Sequence, residues 1–159
     1  MIEKTLVIIK PDAINRGLLG EIVHRFERKG LKIVAMKMIQ LKDKILEDHY
    51  AHIKDKFFFP GVKQFMQSSP VVVMVIDGFE AVEVVRMMCG PTKASIAAPG
   101  TIRGDYALSV QSNVVHTSDS KDAAKKEIKR FFNDNEILEY KKIDFDIMLA
   151  SDEKKSGKK

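Results

Sequence analysis

Asn113-Val114-Val115-His116-Thr117-Ser118-Asp119 carries one histidine at the end of a β-branched run and follows it with hydroxyl and carboxyl groups. Such a strand end presents an imidazole with polar side chains gathered about it. Neutral imidazole is a nucleophile, and its unperturbed pKa of about 6.5 keeps most of it available at neutral pH. A histidine in that place is more often a satisfied structural residue than a nucleophile, so its meaning depends on what else points at it. Elsewhere stand the cations Lys10, Arg86 and Arg103, the hydroxyls Tyr50, Thr92 and Ser118, the aromatic run Phe57-Phe58-Phe59 and the acid Glu127. Such a set suits phosphate held by side chains and attacked by imidazole, with cations spreading the charge of the transferring group. No GxxxxGK[ST] or GxGxxG loop is present to hold phosphate by backbone, and neither a CxxC nor an HExxH metal site occurs.

The elements that must position these groups are legible in turn. Leu6-Val7-Ile8-Ile9 reads as a strand buried on both faces, ended by Pro11, with Lys10 at its mouth or as a solvated strand end. Leu18, Leu19, Ile22, Val23 and Phe26 repeat with a helical period, and Gly30 suits the end of that helix. Leu31 to Leu41 is a second strand. Asp43 is expected to cap a short helix carrying Ile45, Leu46, His49, Tyr50 and Ile53. His49 and His52 lie three apart without a completing metal ligand, and His49 falls on the apolar face, so it reads as a core histidine. Pro60 opens a further helix with Val62, Phe65 and Met66. Three consecutive phenylalanines cannot all face the core of a small domain. At least one is free to stack on a planar group, the alternatives being a hydrophobic plug or a subunit contact.

Val71 to Ile76 is the most apolar strand and belongs beside the first, at the centre of the sheet. Asp77-Gly78 is expected to turn into a helix from about Phe79 to Cys89 with a buried stripe of Phe79, Val82, Val85 and Cys89. Arg86 falls against that stripe and needs an anionic partner there, either a structural ion pair or a bound anion. Pro91 to Ser112 reads as a binding loop with Arg103 between glycines. A helix from Lys121 to Phe132 buries Ala124, Ile128, Phe131 and Phe132 and turns Lys125, Lys126, Lys129 and Arg130 to solvent. Glu127 lies about 240° from Lys121 on its wheel, between inward positions, and can orient the imidazole. The order β-α-β-(αα)-β-α-loop-β-α makes an α+β sandwich: four strands covered by helices, with a helical hairpin and a long loop.

With 159 residues, 45% hydrophobic and 31% charged, the chain suits one domain over residues 1–150, with a lysine-rich tail at 151–159 expected to be disordered. The longest apolar run cannot span a bilayer, and the N-terminus lacks the pattern of a secretory signal. Cys89 is the single cysteine, so no intrachain disulfide can form, and a reducing, cytoplasmic setting is expected. The net charge of +5 invites a nucleic-acid reading. Outside the tail, however, 23 basic residues face 20 acidic ones, which suits small polyanions as readily.

From Thr5 to about Tyr140 the chain resembles the nucleoside diphosphate kinase family. The resemblance rests on Thr5-Leu6-Val7-Ile8-Ile9-Lys10-Pro11-Asp12, Arg16-Gly17-Leu18, His49-Tyr50, the Phe-Phe segment, Pro99-Gly100-Thr101-Ile102-Arg103-Gly104-Asp105, and Asn-x-x-His-x-Ser-Asp from Asn113. It implies a ferredoxin-like fold with a four-stranded antiparallel sheet, and a ping-pong reaction. His116 would take the γ-phosphate of ATP or another nucleoside triphosphate as a pros-phosphohistidine and pass it to a nucleoside diphosphate. By the same resemblance Phe58 would stack on the base, Val62 would flank it, and Lys10 and Asn113 would contact the sugar. Arg86, Thr92 and Arg103 would hold phosphates, Tyr50 would line the catalytic end, and Ser118 and Glu127 would support the imidazole. Mg²⁺ would arrive on the nucleotide, with no protein-made metal site. A homo-oligomer, hexamer or tetramer, is implied, with neither membrane nor specific nucleic acid as partner.

Two departures stand out. Thr117 replaces the family's usual Gly or Ala after the nucleophile, where a β-branched residue resists positive φ and would bring a hydroxyl near the site. The Pro91-Thr92-Lys93-Ala94 loop lacks a proline the family often has near Ala94, which bears on assembly. A basic RNA-binding module of the same fold class is the competing reading, without an aromatic RNP-type strand motif to support it. A catalytically dead scaffold is a third, against which intact Lys10, Arg86, Arg103, Asn113 and His116 argue.

Overall fold

Strands apolar at every position must be covered on both faces, and the computed structural model, which describes residues 1–155, shows this for two of its four. β1 (Ile2–Ile9) leads through the short helices α1 (Pro11–Asn15) and α2 (Leu19–Arg28) to β2 (Lys32–Ile39). The pair α3 (Asp43–His49) and α4 (Phe59–Gln67) precedes β3 (Val71–Phe79) and α5 (Ala81–Cys89). A long connection containing α6 (Ile102–Tyr106) returns to β4 (Val115–Thr117) and α7 (Lys121–Phe131). The sheet order is β2-β3-β1-β4, and every neighbouring pair is antiparallel. This is the ferredoxin-like α+β sandwich expected, with β1 and β3 central.

Alternation along the two central strands divides the core. Val7, Ile9, Val72, Met74 and Ile76 pack with Ile22 and Phe26 of α2 and Val85 and Cys89 of α5. Leu6, Ile8, Val71, Val73 and Val75 pack on the other face with Leu46 of α3, Met66 of α4, and Ile128 and Phe131 of α7. Each of these side chains contributes roughly 1.5–3 kcal/mol when fully buried. Those gains far exceed any local propensity, so burial decides the pairing.

Several boundaries differ from the pattern reading. Pro11 ends β1 as expected but also opens α1, because a first-turn residue needs no N–H donor. β3 continues through Asp77-Gly78 instead of turning there. Glu3 and Lys4 pair with Gly78 and Asp77, and the buried Asp77 carboxylate lies 3.3 Å from Lys32 Nζ. The reversal falls at Glu80, whose φ is +50°. Lys42, not Asp43, is the N-cap of α3, and Asp43 sits in the first turn, where its charge complements the helix dipole. After α7, the β2 edge is bridged by Leu138 N to the Val34 carbonyl at 2.8 Å and Tyr140 Oη to the Ile33 carbonyl at 2.9 Å. Phe145–Met148 and Ser151–Lys155 form short helices α8 and α9. The tail expected to be disordered thus begins as a helix, and residues 156–159 lie outside the described residues.

The 91–112 connection is more ordered than a free loop. Thr101 caps α6 by accepting from Gly104 N at 3.0 Å. Asp105 accepts from Gly100 N at 2.8 Å and pairs with Arg25 Nη1 of α2 at 2.6 Å. At Gly104 a Cβ would lie 2.0 Å from the Ala98 carbonyl oxygen, so no side chain fits without moving backbone. Gly104→Ala is expected to destabilise the fold by about 1–3 kcal/mol, lowering Tm by roughly 2–4 °C for each kcal/mol. An unchanged melting curve would show that the connection yields freely.

Candidate active site

His116 reaches the site because β4 pairs with β1 in the register His116↔Ile8, which turns its ring to the α3–α4–α7 face. Glu127, one turn before the end of α7, extends back toward it, with Oε1 3.1 Å from His116 Nε2. Its other oxygen accepts from Ser118 Oγ at 2.5 Å, and Ser118 Oγ accepts from Leu6 N at 3.2 Å. Burial acts to raise the Glu127 pKa, but the hydrogen bonds from His116 and Ser118 outweigh it and hold the carboxyl below its ordinary value. An ionised carboxylate only accepts, so Nε2 carries the proton and Nδ1 keeps the free lone pair. The arrangement leaves Nδ1 as the ring nitrogen of His116 that a carboxylate does not occupy.

The approach to His116 is not the plain strand run that Val114-Val115 suggested. Val114 has φ +63°, and Val115 N donates to the Asn113 carbonyl at 2.8 Å, closing a three-residue turn. A β-branched residue there stores about 1–3 kcal/mol of strain. It is held by Asp12 Oδ2, which accepts from Val114 N at 3.1 Å, and by Lys10 N donating to the Val114 carbonyl at 2.9 Å. The turn sets Asn113 Oδ1 2.6 Å from Lys10 Nζ, while Asn113 Nδ2 donates to the carbonyls of Thr92 and Val110 at 2.9 and 2.8 Å. Thr117 departs from expectation: it has no positive φ, and its pairing with Val7 places it on the opposite face of the sheet from His116.

A cavity of about 610 Å³ opens on these groups. Lys10, Tyr50, Phe58, Val62, Thr92, Arg103, Asn113, His116 and Glu127 line it, so nine of the eleven residues singled out from sequence share one space. Ser118 is fully buried beneath Glu127. Arg86 is the exception. Its side chain is 45% exposed and ion-paired with Asp119 at the rim, so it does not lie against the buried stripe of Ala81, Val82, Val85 and Cys89. Arg103 is buried, donating to the carbonyls of Gly90 and Val115 at 2.5 and 2.7 Å, and its Nε has no protein partner. The three phenylalanines separate as expected: Phe57 is 95% exposed, Phe58 44% and Phe59 6%.

Burial, followed by the Arg103 charge, lowers the Lys10 pKa to about 8, against an opposing pull from Asp12. Lys10 is therefore charged below pH 8 and loses its charge as pH rises through that value, well before an ordinary lysine. If that charge serves anion binding, kcat/KM falls above pH 8, and Lys10→Arg moves the limb upward by more than one unit; a limb that stays put excludes Lys10 as its source.

Two members of the site escaped the sequence reading. His49 is buried as a core histidine would be, but it also lines the cavity, with its ring centroid 4.5 Å from that of His116 at 74°. Arg130, expected on the solvated face of α7, instead brings Nη1 to 3.1 Å from His49 Nδ1. Burial, followed by the charge of His116, lowers the His49 pKa to about 3, so this imidazole stays neutral. A basic residue on a lysine-rich face carries no sequence signal of such a turn inward. His49, His116 and Glu127 offer atoms within 4.8 Å of one another and could hold a metal ion. Two imidazoles and one carboxylate do not fit a resident Mg²⁺, which takes oxygen ligands in octahedral geometry.

Comparison with known proteins decides the family. The nucleoside diphosphate kinase family model matches residues 3–137. The chain belongs to the nucleoside diphosphate kinase family. It is 53% identical over 151 residues to a nucleoside diphosphate kinase of Parabacteroides distasonis, covering 95% of this chain and 99% of that one. The fold matches that of a halophilic nucleoside diphosphate kinase from Halobacterium salinarum in complex with CDP, with a TM-score of 0.92 at 41% identity, over 94% of this chain and all of the other. It also matches the Borrelia burgdorferi nucleoside-diphosphate kinase, a transition state mimic with bound vanadate and ADP, at a TM-score of 0.84 and 41% identity over 90% and 94% of the two chains. The chain is accordingly an enzyme, a phosphotransferase of the nucleoside diphosphate kinase kind acting on nucleotides. No helix among the described residues is long and apolar enough to cross a membrane.

Proposed function

We propose that this enzyme transfers the γ-phosphate of a nucleoside triphosphate to a nucleoside diphosphate through His116, maintaining nucleoside triphosphate pools in the cytoplasm. The observation that carries the reading is the chain from Leu6 N through Ser118 and Glu127 to His116 Nε2. It leaves Nδ1 as the nucleophilic nitrogen beside a cavity bearing Lys10, Arg103 and Asn113. Nδ1 attacks the γ-phosphorus, the bond to the β-phosphate oxygen breaks, and the nucleoside diphosphate leaves. A second nucleoside diphosphate then attacks the same phosphorus, the P–N bond breaks, and His116 is restored. Glu127 stabilises the positive charge that the imidazole gains while phosphorylated.

Mg²⁺ enters on the nucleotide phosphates as part of the substrate. Phe58 stacks on the base and Val62 flanks it, a contact that reads no base edge and so tolerates several nucleotides. Lys10 and Asn113 hold the sugar end, Thr92 and Arg103 the phosphates, and Tyr50 closes the catalytic end. Arg86 joins the phosphate set by exchanging Asp119 for nucleotide at the cavity rim. The enzyme works as a homo-oligomer, hexamer or tetramer, which light scattering distinguishes. The exposed Met36 and Met38 on β2 give it apolar surface to cover.

Incubation with γ-labelled ATP tests the mechanism. The expected product is a stoichiometric protein label that is labile in acid and stable in alkali, discharged by added nucleoside diphosphate. A folded sample that takes no label overturns the reading.

A further inference from the structure

His49 is unexplained by phosphate transfer alone. Its Nδ1 accepts from Arg130 at 3.1 Å, so its proton sits on Nε2, and that buried nitrogen has no protein partner. A buried N–H left unpaired loses its hydrogen bond to water without replacement, a cost that a fold ordinarily avoids. The ring nevertheless packs edge-on against His116, and Glu127 Oε1 lies 4.0 Å from Nδ1. Two imidazoles and a carboxylate thus converge around the inner side of His116, away from the nitrogen proposed to attack phosphate. This donor set is wrong for Mg²⁺, but it suits a borderline ion such as Zn²⁺.

We propose that His116 Nε2, Glu127 Oε1 and His49 form an inhibitory site for Zn²⁺ or a similar transition-metal ion. A tetrahedral ion with bonds of about 2.0–2.1 Å sets its donors roughly 3.4 Å apart. The His116–Glu127 spacing of 3.1 Å already matches, and the whole set, within 4.8 Å, needs to close by up to about 1.4 Å on the His49 side to reach that spacing. Arg130, half-buried on α7, faces His49 and opposes a second cation. It must swing outward as the metal enters, which keeps affinity moderate.

The consequence follows from the imidazole itself. In the free enzyme Nε2 carries the proton and Nδ1 the lone pair. A metal on Nε2 needs a lone pair there, so the Nε2 proton moves through solvent to Nδ1, which gives up its own lone pair, and no proton is released. His116 then has no lone pair to offer phosphorus, while the metal sits at the inner wall of the cavity among His49, His116 and Glu127, away from the base end at Phe58. Inhibition is therefore a tautomer lock, and it rests on the reading of His116 Nδ1 as the nucleophile. The metal site itself does not depend on that reading.

The two are separated by experiment. Co²⁺ titrated into the nucleotide-free enzyme is expected to bind one ion per chain with the intense visible bands of four- or five-coordination, and Zn²⁺ to displace it. Glu127→Gln and His49→Phe, each checked for fold by circular dichroism, should weaken binding at least tenfold. Arg130→Gln, at a partly exposed position, should tighten it severalfold by removing the opposing charge. A weak octahedral spectrum, or affinity indifferent to all three substitutions, overturns the site. Zn²⁺ is then expected to prevent labelling by γ-labelled ATP while a fluorescent nucleoside diphosphate still binds, with a chelator restoring the label. Label formed with the metal in place, or nucleotide displaced by it, overturns the tautomer lock. A metal-free enzyme that takes no label defeats the phosphohistidine reading alone and leaves the cobalt spectrum to judge the site.

Discussion

His116→Ala is expected to abolish the phosphoenzyme and lower phosphotransfer by at least about four orders of magnitude, because a covalent route has no substitute once its nucleophile is gone. The fold should survive. His116 sits at the end of a three-residue strand with its side chain 19% exposed, so truncation opens the existing cavity instead of creating a sealed one. His49 is the imidazole packed against that of His116, and it is not expected to replace it. Its Nδ1 is occupied by Arg130, and its side chain is only 2% exposed. His49→Ala should therefore still take label. The two variants are compared by circular dichroism, by label, and by steady-state rate. Label in His116→Ala, or none in a folded His49→Ala, would reassign the nucleophile.

Glu127→Ala carries the second largest expected effect, a fall in kcat of roughly two to three orders of magnitude with little change in KM. In the proposed mechanism the carboxylate, 3.1 Å from His116 Nε2, fixes the tautomer and stabilises the phosphorylated ring without holding the nucleotide. Its loss is thus felt in the transition state and hardly at all in binding. Glu127→Gln keeps the shape and removes the charge, and is expected to lie between Ala and the natural residue. Ser118→Ala, which removes one of the two hydrogen bonds on that carboxylate, should cost about tenfold or less. A KM that rises while kcat holds would mean Glu127 serves binding instead. The pH dependence has a definite sign. The folded pKa of Glu127 is lowered, so its contribution to stability is present above the unfolded value and is lost as pH falls through the folded one. The natural protein should therefore lose more stability in acid than Glu127→Ala does.

Elements whose burial is set by local pattern were legible in the chain. Leu6-Val7-Ile8-Ile9 and Val71–Ile76 have no polar face, so they had to be central strands, and they are. Ala124, Ile128, Phe131 and Phe132 mark the inward face of α7, and the same wheel places Glu127 beside it, where the carboxylate meets His116. Helical and strand periods are short-range, and a few residues suffice to establish them. Boundaries were less legible where pairing across the sheet overrode a local turn signal. Asp77-Gly78 looks like a turn but stays in β3 because Lys4 and Lys32 flank the carboxylate from neighbouring strands.

The residues of the catalytic centre were largely present as types and spacings, and so was the chemistry they suit. Their mutual geometry was not. Arg86 was placed inward by a helical wheel, yet Asp119, thirty-three residues on, draws its guanidinium to the rim. The same kind of wheel puts Arg130 in solvent, yet His49, eighty-one residues before it, draws its guanidinium inward to 3.1 Å from Nδ1. A wheel ranks positions on one helix and knows nothing of the charges and imidazoles that other elements bring opposite them. Thr117 shows the same limit from the other side. Its hydroxyl is one residue from His116 in the chain, but strand alternation sends it across the sheet. His116, Glu127 and His49 share one small volume, an arrangement created only when β4 docks beside β1 and α7 folds back over them.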